Sequence, residues 1–572
     1  PEWQWASQAG GEGSDQGQSM AIDASGNTFV TGYYYDSATF GSHTISASAY
    51  RGFFVAKLDP SGNWLWARDI GGHSEGKGIA VDASGNAFVT GTFYVSATFG
   101  EFSVHSDGYN DDLFIAKISP DGNWLWAVDA GGTDDSDCGF SITADASGNS
   151  YTTGHFEGTA TFGSTTLTST GGTDIFIAKL SAAGSWLWAI RAGGNDTDNG
   201  LGIKVDASGN VYTTGYFRMT GDFGSFNMTS AGDSDIFVAK LNSAGDWLWV
   251  SKAGGAGWDH CEAIAIDEAG NSYLTGETGI CDFGSYNFPG GMFVAQLASD
   301  GTWSWVNQFD GEADGITSHG SENIYVTGGG VVYAMNLNGA LLWTVEVNGY
   351  QKDIAVDAQG NTHILGSFYN TDTIANQTLT SYGSSDIYLA QLDAGGPLYA
   401  SFSADVVSGD APLTVNFTDL SIGGATSWNW DFQNDGTIDS YDQHPEWTYN
   451  EAGIYSVTLT VSDGINSVSI TVNNFINIGF LLSIPDPNFK AVINGYLGQP
   501  ADYNPTIEEL NGIWGFFEAP DSNIASIEGA QYLTGIDAFL VSSNQISDVS
   551  PIAGLTSLYY LDLSMNQISD IS

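Results

Sequence analysis

Basic residues are nearly missing from this chain. Lys and Arg together number 13 in 572 residues, against 66 Asp plus Glu, so the formal net charge is -53. Such a chain repels nucleic acid and anionic membrane surfaces, and both drop out as partners. Cysteine is as scarce: Cys138, Cys261 and Cys281 leave room for one disulfide. No apolar run reaches the roughly 18 residues that a spanning helix needs, so no transmembrane segment is expected. The eight His residues are scattered without a repeated partner, and no G-x-S-x-G, H-E-x-x-H or Walker loop occurs, which leaves no recognisable catalytic arrangement. An initiator Met and a signal segment are also lacking, which fits a processed or partial sequence.

What is abundant is Gly, at 75 residues, and Trp, at 18, within a composition that is 42% apolar and 13% aromatic. That much apolar surface rules out wholesale disorder despite the charge. Self-repulsion on this scale is milder in salty or calcium-containing water, which points to an extracellular setting.

The first 395 residues repeat one phrase seven times. Each copy has a W-x-W pair (Trp64/Trp66, Trp124/Trp126, Trp186/Trp188, Trp247/Trp249, Trp303/Trp305), an apolar run ending in D-A-S-G-N or a relative, then V-T-G, then a stretch like D-I-F-I-A-K-L. Asp23, Asp82, Asp145, Asp206, Asp267 and Asp357 mark six copies, and the degraded segment Ser318 to Asn323 marks the other. Within a unit, Gly and Asn at the turns read as hairpin loops between four short strands. Four antiparallel strands repeated seven times predict a seven-bladed β-propeller. The seventh copy ends at Leu392 without a W-x-W, while Trp3-Gln4-Trp5 stands at the amino terminus without preceding strands. Trp3 to Ala6 is therefore expected to supply the outer strand of the last blade and close the ring, leaving no open edge.

These repeats resemble the bacterial SBBP family of propeller repeats, and the I-A-V-D plus V-T-G hairpin is similar to NHL repeats. The resemblance implies that the strand ending at the D-A-S-G-N Asp lines the central channel and that the W-x-W strand is outermost. Residues 397–479 change vocabulary. Ala411 to Asp419, Trp428-Asn429-Trp430-Asp431-Phe432, Asn434-Asp435-Gly436-Thr437 and Tyr455 to Leu459 closely resemble a PKD domain, which implies an immunoglobulin-like β-sandwich acting as a spacer. The alternation Tyr455, Val457, Leu459, Val461 independently gives a strand with one buried face. In residues 480–572, Ile484 to Ala491 looks like the helical cap that precedes internalin-like leucine-rich repeats. Leu533, Ile536, Phe539, Val541, Asn544, Ile546 and Leu555, Leu558, Leu561, Leu563, Asn566, Ile568 fit that repeat at a 22-residue step. The last repeat stops at Ser572, so a longer protein with further repeats is expected. The whole reads as an all-β multidomain chain with boundaries 1–396, 397–479 and 480–572.

Several residues are candidates for chemistry. The D-A-S-G-N Asp is expected to cap its own turn rather than to join a ring of carboxylates. A second acidic set, Asp15, Glu75, Asp135, Asp137, Asp198 and Asp259, follows the G-G after the W-x-W strand; it reads as solvated loop acids, with Ca²⁺ as the alternative. Lys57, Lys117, Lys179 and Lys240 hold one repeat position in F-x-A-K-L and are expected to be partly buried partners of a blade carboxylate. The W-x-W rings are expected to wedge between blades rather than to stack on sugars. Asp431, Asp435 and Asp439 around Gly436 have the spacing of a calcium loop, which Gln433 interrupts, and they make Ca²⁺ the one candidate cofactor. Hairpin geometry suggests a Cys261–Cys281 disulfide, leaving Cys138 free. Asp259-His260-Cys261-Glu262 only superficially resembles a zinc cluster, because adjacent residues point different ways.

With three interaction folds and no reaction chemistry, the expected function is non-catalytic: a secreted bacterial cell-surface protein, either an adhesin or a structural subunit of an extracellular filament. Its partners would be surface proteins or glycans of other cells, or further copies of itself. Proteins with this cap and repeat combination are often exported by a type IX system. A polysaccharide-active enzyme with a propeller catalytic domain and PKD spacer is the alternative, which a few convergent, non-repeated acids at the channel would favour.

Overall fold

Each D-x-x-G-N stretch folds into a tight turn because its Gly takes a positive φ. Gly26, Gly85, Gly148, Gly209, Gly270 and Gly360 lie between 77° and 85°, where a Cβ would be strained. The Asp N–H and the Asn carbonyl then close the hairpin, as in Asp23 to Asn27 and Asp82 to Asn86 at 2.9 Å. In the computed structural model the chain is described except at residues 107, 133–135, 321–322, 394–397, 422, 424, 426, 463–466, 480–481, 483 and 570–572. The fold is all-β in class, with helices among the described residues confined to short segments beyond residue 486. It divides into two compact units, Pro1–Gly396 and Pro397–Ser572. The expected boundary at 480 falls on a residue outside the described set.

In the first unit the described strands form seven antiparallel four-strand sets. The second set is representative: His73–Val81, Ala87–Tyr94, Asp111–Ile118 and Trp124–Ala130 pair in chain order. The last set contains Tyr350–Val356, Thr362–Ile374 and Gln377–Leu392, and its fourth strand is Trp3–Gly10 from the other end of the unit, with Ala6 opposite Ala390 and Ala9 opposite Ile387. The first strands of successive sets pack side by side, and Gln16–Ile22 lies against both His73–Val81 and Tyr350–Val356.

The W-x-W pair splits its work. A bulge puts Trp64 opposite Leu58 and Trp66 opposite Lys57. The first ring meets a buried Phe edge-on: Trp64 with Phe40, Trp124 with Phe99, Trp186 with Phe162, Trp247 with Phe223 and Trp303 with Phe283, at 4.9–5.6 Å. The second indole N–H donates to a turn carbonyl of the following set. Trp5 reaches Pro60, Trp66 reaches Pro120, Trp126 reaches Ala182, Trp188 reaches Ser243, Trp249 reaches Ser299 and Trp305 reaches Leu337, at 3.0–3.3 Å. Each Phe sits in a hairpin that the sequence reading passed over, written Ala38-Thr39-Phe40-Gly41, Ala97-Thr98-Phe99-Gly100, Ala160-Thr161-Phe162-Gly163, Gly221-Asp222-Phe223-Gly224 and Cys281-Asp282-Phe283-Gly284. This hairpin pairs with the outer strand of the preceding set, as Gly193 with Asp222 and Gly255 with Cys281.

In the second unit, Phe402–Ala404, Leu413–Asp419 and Glu446–Tyr449 form one sheet, and Ser408–Asp410, Ser467–Gly479, Gly453–Ser462 and Ser427–Asp431 form another. Between them lies a core of Val415, Phe417, Trp430, Phe432, Val457, Leu459 and Val461. Further on, Asp486 caps the helix Pro487–Leu497 by accepting from Asn488 and Phe489 N–H, and Gly498 ends it at φ 69°. Trp514–Glu518, Gly535–Leu540 and Tyr560–Asp562 then pair in parallel, with Phe517 opposite Phe539 and Phe539 opposite Leu561. Asn544, nearly buried, spends its amide on neighbouring turns. Its oxygen accepts from Ser522 and Ile524 N–H, and its nitrogen donates to Ala519 and Val541 carbonyls. Asn544→Ala strands those four groups and should destabilise this region by about 2–4 kcal/mol, since each orphaned buried group costs about 1 kcal/mol or more. A thermal unfolding scan showing the region unshifted would refute the assignment.

Candidate functional site

The repeated acids and lysines are consumed by architecture. Asp23 accepts from Ser25 and Asn27 N–H, and Asp82, Asp145, Asp206 and Asp357 do the same in their own turns. Their remaining oxygen meets a cation or hydroxyl of the same set: Lys57 at 3.3 Å from Asp23, Lys117 at 2.9 Å from Asp82, and the hydroxyls of Tyr151 and Tyr212 on Asp145 and Asp206. Lys117 also lies 4.4 Å from the Phe88 ring centre, and Lys179 and Lys240 lie over the rings of Tyr151 and Tyr212. Lys57 and Lys117 are therefore the buried carboxylate partners that the spacing predicts, whereas Lys179 and Lys240 are half-buried and lie over a Tyr ring whose hydroxyl holds the acid instead. Lys117→Met leaves Asp82 buried without its counter-charge and should cost about 3 kcal/mol, the usual loss on breaking a buried pair. Adding Asp82→Asn should recover part of that loss, and a double-mutant cycle on unfolding temperature checks both.

The second acidic set is not solvated. Asp15, Asp137, Asp198 and Asp259 are fully buried. Each carboxylate stitches two backbone N–H groups: Gly11 and Tyr35 for Asp15, Gly132 and Glu157 for Asp137, Gly194 and Arg218 for Asp198, Gly255 and Gly279 for Asp259. Those donors sit on both sides of a tight loop, so the acid has to lie inside it. Glu75 is one residue out of this row, where Ser74 stands instead, and it pairs with Arg51 and Lys77. Asp135 lies outside the described residues.

Each stitching acid meets a second buried acid on the third strand of the preceding set, at the position opposite a second-strand Phe: Asp386, Asp112, Asp174 and Asp235 respectively. The distribution is all or none. At the other three junctions the two positions are Gly52 and Ser74, Gly291 and Gly311, and Gly329 and Gly349. Burial pushes Asp15 and Asp198 up to about 7 and Asp386 up to about 6, and the neighbouring acid adds to the rise for Asp15 and Asp198. Asp174 is raised by burial in spite of its Arg191 partner, and Asp259 is raised likewise. Glycine is required between the two acids: a Cβ on Gly10 would lie 2.5 Å from Asp386 Oδ1 and 3.0 Å from Asp15 Oδ2.

Two expectations need correction. Asp431, Asp435 and Asp439 do not converge on a cation. Asp431 accepts from Gln433, Asp435 and Gly436 N–H, Asp439 from Phe432 N–H, and Asp435 from Thr437 N–H. Backbone donors inside the turn engage both oxygens of Asp431 and one each of Asp435 and Asp439, and no cluster of three His, Cys, Asp or Glu side chains suited to a metal occurs among the described residues. Cys261 and Cys281 form no disulfide; all three cysteines are buried thiols. Cys261 fills the slot held by Gly17, Gly76, Gly139 and Gly200, with its Sγ toward the Ala263 and Thr275 carbonyls, whereas Cys281 sits in the outlying hairpin. The missed A-T-F-G repeat carried that information.

The first strands of all seven sets line a cavity of about 320 Å³. Its walls are small and aliphatic residues apart from a few Ser and Thr and three charged ones, Lys204, Glu262 and Asp353. Asp353 accepts from Met20 N–H at 2.8 Å and from Ser19 Oγ at 3.1 Å. Burial among the channel walls raises Asp353 and lowers Lys204, each opposed by attraction to the other.

Comparison with known proteins bears on the modules. Residues 4–33 match the beta-propeller repeat family SBBP, and residues 397–477 match the PKD domain family. An uncharacterized WD repeat-containing protein L264 of Acanthamoeba polyphaga mimivirus is 24% identical over 491 residues, 69% of this chain; the chain spans 34% of that relative. Among solved structures, the Neurospora crassa Pan2 WD40 domain is 9% identical with a TM-score of 0.37, covering 66% of this chain and 89% of that one. An internalin C2 from Listeria monocytogenes is 30% identical across 15% of this chain and 38% of its own, with a TM-score of 0.15. A propeller repeat and a PKD domain fit a surface or extracellular protein.

Proposed function

We propose that the chain is a secreted, non-catalytic cell-surface protein, an adhesin or a structural subunit of an extracellular filament. In this reading the first unit is a seven-bladed β-propeller closed by its amino-terminal strand. A PKD sandwich and a capped leucine-rich repeat solenoid follow, and rigid modules are strung together to present binding faces. The observation that carries it is the fate of the repeated acids, which, among the described residues, are committed to turns and junctions. Partners would be surface proteins or glycans, or further copies of the chain. Immunogold labelling of intact cells, with loss of attachment or of surface filaments on deletion, tests it. Signal confined to broken cells would reject it.

A polysaccharide-active enzyme is the second reading, favoured by the non-repeated Asp353 and Glu262, which line the same cavity. A cavity of about 320 Å³ enclosed by seven strands has room for a single small molecule rather than a polymer, which supports the first reading. Release of reducing ends from polysaccharide by the purified chain, abolished by Glu262→Gln, would reverse that preference.

A further inference from the structure

Strand register aligns the channel wall position by position. Opposite the Thr of V-T-G or its equivalent stand Ser19, Gly78, Ser141, Gly202, Ala263 and Gly315, and in the seventh set Asp353. Two residues further along stand Ala21, Ala80, Thr143, Ala265, Thr317 and Ala355, and in the fourth set Lys204. Six copies keep each position small, so the lysine and the aspartate are single departures from a seven-fold pattern, and both fall on the same cavity. In a chain with 13 basic residues, a lysine placed where no neighbouring set needs one calls for an explanation.

The two charges attract each other but do not touch. No ion pair or hydrogen bond joins them, and the Lys204 ammonium has neither with any described residue. Its side chain opens onto the lumen, while the protein around the channel desolvates it. A cation and an anion held apart across a small cavity are complementary to a molecule carrying both signs. A purely anionic ligand is repelled by the net charge of -53, and a purely cationic one has no use for Lys204.

We propose that the channel binds a small zwitterion of α-amino-acid size, its carboxylate on Lys204 and its ammonium on Asp353. Glu262 lines the same cavity and limits the site to molecules without excess negative charge.

Calorimetric titration of the full chain with each proteinogenic L-α-amino acid at millimolar concentration tests this, with acetate and ethylammonium as probes carrying one charge each. At least one amino acid should bind, and the single-charge probes should bind at least about tenfold more weakly, a loss of about 1.4 kcal/mol. Lys204→Ala and Asp353→Ser should each weaken binding by a similar factor. Both variants copy residues that other sets already carry at those positions, so folding should be preserved, and unfolding temperature verifies it. Absence of binding by every amino acid overturns the proposal, as does binding that survives both substitutions or is matched by acetate alone.

Discussion

Removal of residues 1–11 should abolish cooperative unfolding of the first unit and leave the unfolding of residues 397–572 in place. Trp3–Gly10 supplies the outer strand to Gln377–Leu392 across six register pairs. It also anchors the following set, through Trp5 Nε1 on the Pro60 carbonyl, Ser7 Oγ on the Gly62 carbonyl and the Gln8 carbonyl on Trp64 Nε1. Trp3, Ala6 and Ala9 pack into two separate cores. At about 1 kcal/mol per backbone bond, with about 2 kcal/mol for each buried large side chain, the loss approaches the 5–15 kcal/mol that holds a typical domain folded. The deletion also bares a long strand edge, so aggregation should accompany it. A synthetic peptide of residues 1–11 added in trans should restore a single sharp calorimetric transition. A truncated chain that unfolds at the parent temperature would show that the terminal strand is dispensable.

The pairing of that strand was legible because the repeat was incomplete at both ends in complementary ways: a W-x-W without strands at one terminus, strands without a W-x-W at the other. The turn role of Asp23 and its equivalents was legible for a local reason, since D-x-x-G-N contains donor, acceptor and positive-φ glycine within five residues. The buried row was not. Asp15 looks like a loop acid, and its second N–H donor, Tyr35, lies 20 residues away, visible only once the loop folds over it. Glu75 shows the same weakness, because the loop after the G-G varies in length: Asp15 follows Gly11 by four residues and Asp137 follows Gly132 by five, whereas Ser74, the residue in register with them, follows Gly72 by two. Cys261 and Cys281 invited a bridge because hairpin topology was inferred without the A-T-F-G excursion that carries Cys281 to the neighbouring outer strand. Lys204 and Asp353 were open to the eye as departures from a repeat, but only the register shows that they share a cavity.

The first unit should be more stable at pH 5 than at pH 8. Asp15 and Asp198 rise from 3.8 to about 7, and Asp386 to about 6, so between about pH 4 and 7 the folded state binds more protons than the unfolded one. Stability held by such groups is complete below the unfolded pKa and is lost as pH climbs through the folded value. Asp23, Asp82, Asp145 and Asp357 are shifted the other way, against burial, by hydrogen bonds from the turn Asn and, for Asp82 and Asp357, first of all from Lys117 and His363, so their contribution fades below pH 3.8 and sets the acid limit. For Asp15 alone the full shift corresponds to about 4 kcal/mol, an upper bound that structural relaxation reduces. At the junction of Asp15 and Asp386 neither carboxyl has a basic partner among the described residues, so one proton held between the two is the stable arrangement, whereas at the junctions of Asp198 with Asp174 and of Asp259 with Asp235 the second acid is paired with Arg191 or Lys252. Asp386→Asn is the decisive variant. Asp386 Oδ1 is buried without a hydrogen-bond partner and faces Asp15 across Gly10, so a carboxamide there can donate where the shared proton sits while its oxygen keeps the Tyr382 N–H. Its unfolding temperature should rise at pH 8 by a few degrees, on the order of 2 kcal/mol, and stay level with the parent at pH 5. Asp15→Asn should instead lose stability at both pH values, because its two oxygens serve Gly11 and Tyr35. A parent profile that rises from pH 5 to 8 would remove the shared proton from the account, and stability at pH 8 that depends on added Ca²⁺ would put a cation in its place.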